Sequence, residues 1–167
     1  MPEERHLPDN HLQHLAEANR VFADQIKIAD QKAAYIFTFL LALMVWSAET
    51  RKAFSWHRLQ EAGPVVTLTS LLLATAIIIA LFTAICVVLP RSRAGRTVLF
   101  WGAWPEAGDR LVIARRAGDE DFLFQDLLVN TRTLAAIAAA KYRMVYVAFR
   151  ALLVTVAAYA LQLIVAG

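Results

Sequence analysis

A single cysteine, Cys86, among 167 residues rules out a disulfide framework, and its apolar surroundings assign the thiol to packing. Glycine and proline are scarce, with six and five residues. Neither occurs from position 10 to 62 or from 119 to 166, so nothing in those two segments interrupts a helix. Catalytic constellations are missing too. Four histidines and one cysteine offer no nucleophile beside a base, and there is no Ser-His-Asp order, Gly-rich phosphate loop or HExxH. No enzymatic activity is expected. His11 and His14 stand one helical turn apart without a Cys nearby. They read as a polar helix face, and no metal is expected. Residues 1–32 are polar and charged with no apolar core, so no cleavable signal peptide is expected.

The most informative absence is that of charge. Residues 33–48, 62–90 and 151–167 contain no charged side chain over 16, 29 and 17 positions. A bilayer core about 30 Å thick needs about 20 apolar residues in a helix. The middle run meets this by itself. The outer two continue without a breaker into helical patterns on their N-terminal sides. With 59% apolar residues, the chain reads as an all-α membrane protein with three transmembrane helices. Net charge is only +3, and its placement says more than its size. Nine Lys or Arg lie between Arg91 and Arg143 and four lie in residues 1–32, against three (Arg51, Lys52, Arg58) between the first two spans. The positive-inside rule places the N-terminus and residues 91–143 in the cytoplasm and the C-terminus outside.

Two long helices are predicted. Asp9 or Asn10 caps the first, in which Leu12, Leu15, Phe22, Ile26, Ala29 and Ala33 recur at helical steps. In the second, Leu123, Leu127, Asn130, Leu134, Ile137, Lys141 and Met144 form a heptad-like seam after the acidic start Asp119, Glu120 and Asp121. Both leave the cytoplasm in the same direction, so their N-terminal extensions should pair as a helical stalk. Asn19 and Asp30 are 11 residues apart, as are Asn130 and Lys141. That register sets Asn19 opposite Asn130 and Asp30 opposite Lys141, and the pair alone predicts that exchanging its charges partly restores a broken contact. The expected layout is one domain over 1–167: cytoplasmic helix 10–32, first span 33–50, outer loop 51–63, second span 64–89, cytoplasmic segment 90–143 and third span 144–167. Within the cytoplasmic segment, residues 98–101 read as a short strand or interfacial piece. Residues 111–114 read as a second strand or the start of a helix, with Pro105, Gly108 and Gly118 as turn signals. Ala76, Ala80 and Ala84 make a small-residue stripe suited to close helix contact.

Several charged residues have two readings. Arg91, Arg93 and Arg96 mark the inner edge of the second span as a stop-transfer cluster; the sharper reading is a phosphate site, with Trp101 or Trp104 stacking on a base. Lys32 reads as an anchor whose stem lies in the apolar layer. Asp30 shares a face with Ile26 and Ala33 and needs a partner, for which Lys141 is the candidate. Arg150 marks the inner membrane edge or, more sharply, lines a pore or stalk contact.

The run Ile28, Ala29, Asp30, Gln31, Lys32, Ala33, Ala34, then Leu99, Phe100, Trp101, Gly102, and then Gln125, Ala136, Ile137, Lys141 and Tyr142 resemble the membrane domain of Pycsar effectors of bacterial antiphage defence. The resemblance runs from about Leu12 to Leu163. It implies an inner-membrane effector that answers cyclic CMP or cyclic UMP from a partner pyrimidine cyclase by impairing membrane integrity. No separate cyclic-nucleotide-binding β-roll fits in the chain, so sensing belongs either to its cytoplasmic part or to a partner. The expected function is that of a membrane-disrupting or pore-forming homo-oligomer in the bilayer, with no nucleic-acid partner and no cofactor beyond the nucleotide signal. The alternative is a non-channel membrane anchor or adaptor for a cyclase or other cytoplasmic protein.

Overall fold

The computed structural model describes residues 10–55, 63–90, 97–99, 102, 104–119 and 121–166. Its elements are α1 (Asn10–Trp46), α2 (Ala48–Ala53), α3 (Pro64–Val88), α4 (Trp104–Ala117) and α5 (Asp121–Ala166), and no strand occurs among the described residues. Three helices, α1, α3 and α5, are long and apolar enough to cross a membrane. The chain forms two compact units. One comprises Met1–Lys27 with Pro90–Ala140, the other Ile28–Leu89 with Lys141–Gly167.

In the second unit the three apolar segments share one core. Ala29, Ala33, Ile36 and Leu40 of α1 meet Leu73, Ile77, Ala80, Ala84 and Val87 of α3 and Val145, Ala148 and Ala158 of α5. Steps of three and four residues keep each set on one helix face. The large side chains Leu68, Ile78, Phe82, Leu153 and Ile164 stand on the outer surface, more than half exposed. Alanines among the core contacts and large apolar residues on the outside are what a hydrocarbon solvent favours, because backbones approach through Ala while lipid tails accept Leu and Phe. The stripe Ala76, Ala80 and Ala84 is buried within this unit. Hydroxyls in this setting turn back on their own helix: Thr83 donates to the Ile79 carbonyl at 2.7 Å and Thr155 to that of Ala151 at 2.9 Å.

α1 ends at Trp46, earlier than the expected limit of the span, because Ser47 caps a new helix. Its Oγ accepts from the Thr50 N–H at 3.1 Å and donates to the Tyr159 hydroxyl at 3.2 Å. Gly63 precedes Pro64 at the start of α3, where a missing N–H costs nothing.

In the first unit, residues 111–114 are helical, the second of their two readings, and lie inside α4 rather than at its start; the strand or hairpin reading is corrected. Pro105 occupies the first turn, where proline is tolerated, and Gly108 is accommodated inside the helix. Gly118 does end the element. It adopts φ +67°, and the Gly118 and Asp119 N–H groups return to the carbonyls of Arg115 and Ala114 at 3.3 and 3.1 Å. This pair of reversed bonds satisfies carbonyls that the helix leaves open. Asp119 then caps α5 by accepting from the Phe122 N–H at 3.1 Å.

Candidate functional site

The site with the most structure around it is centred on Lys141. On α5, positions 141, 148, 155 and 162 recur every seven residues, and Ala148, Thr155 and Gln162 are fully buried. The same seam carries the Lys141 stem into the core of the second unit, where the residue is 4% exposed. Its Nζ donates to the Asp30 carboxylate of α1 and, at 2.7 Å, to the Val87 carbonyl of α3. α3 ends one residue after Val87. Carbonyls in a last turn lack intrahelical donors and carry the negative end of the helix dipole, so an ammonium there satisfies both. One side chain therefore ties together the three membrane-crossing helices, three residues before the uncharged run of α1 and at the end of that of α3. The partners are unequally covered: the Lys141 side chain is 5% exposed and that of Asp30 36%. The anion can be hydrated; the cation cannot.

Two more cations lie on the outer face of this unit. Lys32 Nζ sits 5.5 Å from the centre of the Tyr142 ring, and the Arg150 guanidinium 4.6 Å from that of Tyr146. Arg150 thus bends back one turn along α5, the direction in which long helical side chains point.

Further along the second unit, a buried amide joins α3 and α5. Thr69 Oγ1 donates to Gln162 Oε1 at 2.6 Å, and Gln162 Nε2 donates to Ser70 Oγ at 3.1 Å. The sequence reading missed this group. A signal existed: Gln162 is the one amide in the last uncharged run and falls 21 residues, three heptads, after Lys141.

Within the first unit, Asn19 Nδ2 donates to Thr131 Oγ1 at 3.4 Å. The expected Asn19–Asn130 contact is corrected by one residue, because the Asn130 carbonyl oxygen accepts from Thr97 Oγ1 at 3.3 Å. The neighbouring Val98 N–H donates to the buried Asp126 carboxylate at 2.9 Å, which holds residues 97–98 on α5. Trp104 begins α4 and is half exposed. Arg91, Arg93, Arg96 and Trp101 lie outside the described residues.

The family model of the Pycsar effector protein domain matches residues 14–166, which take in α3, α4, α5 and all but the first turn of α1. The chain belongs to this family. No curated protein and no solved structure matches it. As a Pycsar effector domain, the protein is an antiphage defence effector with membrane helices. The Lys141 junction lies inside the matched region, as do both ends of the Gln162 contact.

Proposed function

We propose that this Pycsar effector impairs the bacterial inner membrane as a homo-oligomer when its defence system produces cyclic CMP or cyclic UMP, and that the whole chain acts as one effector domain. The carrying observation is the Lys141 junction. A single ammonium holds α1, α3 and α5 together, beside the start of the uncharged run of α1 and the end of that of α3. Any signal that changes the pairing of α1 with α5 there moves both helices at once. Leu40, Leu73 and Ile77 fill the space between the helices at 0% exposure, so one protomer encloses no water path. A conducting state then needs several copies around an axis. The Lys and Arg distribution supports a cytoplasmic N-terminus and an outer C-terminus.

The test is dye or ion flux from liposomes carrying the purified protein, with cyclic CMP, cyclic UMP and cyclic AMP added separately. Flux on adding one pyrimidine nucleotide is expected. Binding of a cyclase without flux under any nucleotide would leave the anchor reading instead. The phosphate site proposed at Arg91, Arg93 and Arg96, with Trp101 and Trp104 as stacking platforms, is tested in the same vesicles. Arg→Ala changes should abolish nucleotide binding while leaving the protein in the membrane, and unchanged binding in all three would leave only a stop-transfer role.

A further inference from the structure

An open groove of about 540 Å³ runs along the outer face of the second unit. Ile36 and Phe39 of α1 and Phe149 and Leu152 of α5 form its apolar walls, and Lys32, Tyr142 and Tyr146 lie toward one end. Along each helix the polar end comes first. Lys32 precedes Phe39, and Tyr142 precedes Leu152, by about 10 and 15 Å of helix. Arg150 does not itself line the groove, but its guanidinium lies 4.6 Å from the ring of Tyr146, which does, and so brings a second cation beside it. Among the described residues, neither Lys32 nor Arg150 makes an ion pair with a carboxylate. Two cations without a counter-ion, at the head of an apolar trough on a membrane-facing surface, leave an electrostatic demand that hydrocarbon cannot meet.

We infer that the groove binds one anionic phospholipid, its phosphate between Lys32 and Arg150 and an acyl chain along Phe39, Phe149 and Leu152. An anion covalently joined to a chain matches both ends of the site. A free nucleotide carries nothing to cover the apolar walls, and a phosphatidylcholine headgroup brings its own cation. A second copy of the protein is a poorer match for the polar end, because the carboxylate at that level, Asp30, is already paired with Lys141. The inference rests on the membrane-spanning reading, and the cytoplasmic leaflet as the source follows from the proposed orientation.

The experiment uses the full chain reconstituted in vesicles of equal phosphatidylglycerol and phosphatidylcholine with matched acyl chains, extracted in mild detergent and weighed by native mass spectrometry. One phosphatidylglycerol per protomer should be retained in preference to phosphatidylcholine. Lys32→Ala with Arg150→Gln should lower that retention about tenfold, each basic group near a headgroup being worth a severalfold change in affinity. Leu152→Trp, which fills the trough without touching either charge, should lower it as well. Arg143→Ala, an exposed residue outside the groove, should not. Equal retention of the two lipids, or preference for phosphatidylglycerol that survives both the double change and Leu152→Trp, overturns the inference. Displacement of the lipid by cyclic CMP would do the same by making the groove a nucleotide site. So would a disulfide between copies through Phe39→Cys in a Cys86→Ala background, which would put a second protomer there. The readout needs neither flux nor orientation, so it can fail while the effector reading stands.

Discussion

Lys141 contributes more than half of an ion pair. Its Nζ faces a carboxylate and a backbone carbonyl together, and only the carboxylate has access to water. Removing the anion strands a buried ammonium, a change that costs about 3–5 kcal/mol when the pair is fully desolvated, so Asp30→Ala should fall toward the lower bound given its partial exposure. Lys141→Met keeps the volume without the charge and should cost less, since an apolar isostere often replaces a buried ion at little loss. Denaturant midpoints in micelles order the two, and the opposite order would mean that Lys141 is hydrated. Both changes should uncouple signal from membrane damage, read as toxicity on induction at matched membrane levels. The Val87 carbonyl also revises the outcome expected for a charge exchange. Asp30→Lys with Lys141→Asp would aim a carboxylate at an acceptor, so the double variant should be no better than either single one, contrary to what the pair alone suggests. A separate prediction concerns Thr50, whose Oγ1 is fully buried without a hydrogen-bond partner and lines a cavity of about 170 Å³. An orphaned hydroxyl costs about 1–3 kcal/mol, so Thr50→Val should raise the unfolding midpoint. A lowered midpoint would show that a water in that cavity pairs with the hydroxyl.

At the scale of the element, the helices are held by small residues on their inner faces, and Ala80 is the most enclosed of the stripe at 0% exposed. Ala80→Leu adds three carbons where there is no room and should cost about 1–3 kcal/mol, with loss of toxicity. Ile78→Leu, on the outer face of the same helix, should be silent. Full activity of Ala80→Leu would mean that α3 rotates freely against its neighbours. Gly118 terminates α4 with a positive φ and open space around its Cα, so Gly118→Ala should lose about 1 kcal/mol from backbone conformation alone. The two long helices and the Gly63-Pro64 start of α3 are legible in the sequence, because period and breakers act locally. α4 is not. Its apolar residues are few, residues 111–114 fit either period, and Pro105 and Gly108 resemble turn signals although the first turn of a helix accommodates a proline. Ser47 shows the same kind of ambiguity. A serine inside an uncharged run resembles span sequence until its hydroxyl is seen accepting from Thr50.

For the whole molecule, the proposed orientation predicts that alkaline phosphatase fused after Gly167 is active and that the same enzyme fused before Met1 is not. The reverse pattern would invert the cytoplasmic assignment of residues 91–143. The membrane character follows from three charge-free runs, because a bilayer of given thickness imposes a length and forbids uncompensated charge within it. Those constraints act on each segment alone, so order along the chain is enough to read them. The pairing of Asp30 with Lys141 is also suggested by equal spacing on two helices, since parallel helices of one pitch keep their offset. Other contacts depend on how each helix is rotated and on which atoms already have partners. Thr97 occupies Asn130, so Asn19 turns to Thr131. A carbonyl at the end of α3, chemically the same as every other carbonyl in the chain, becomes the second acceptor for Lys141. Gln162 finds Thr69 and Ser70 across more than 90 positions. Lys32 comes to lie over the Tyr142 ring only because α1 and α5 present those faces together, whereas Arg150 reaches Tyr146 within α5 itself. Periodicity and charge are carried by residue types, whereas the choice of hydrogen-bond partner belongs to atoms that packing brings within reach, and so only the tertiary structure decides it.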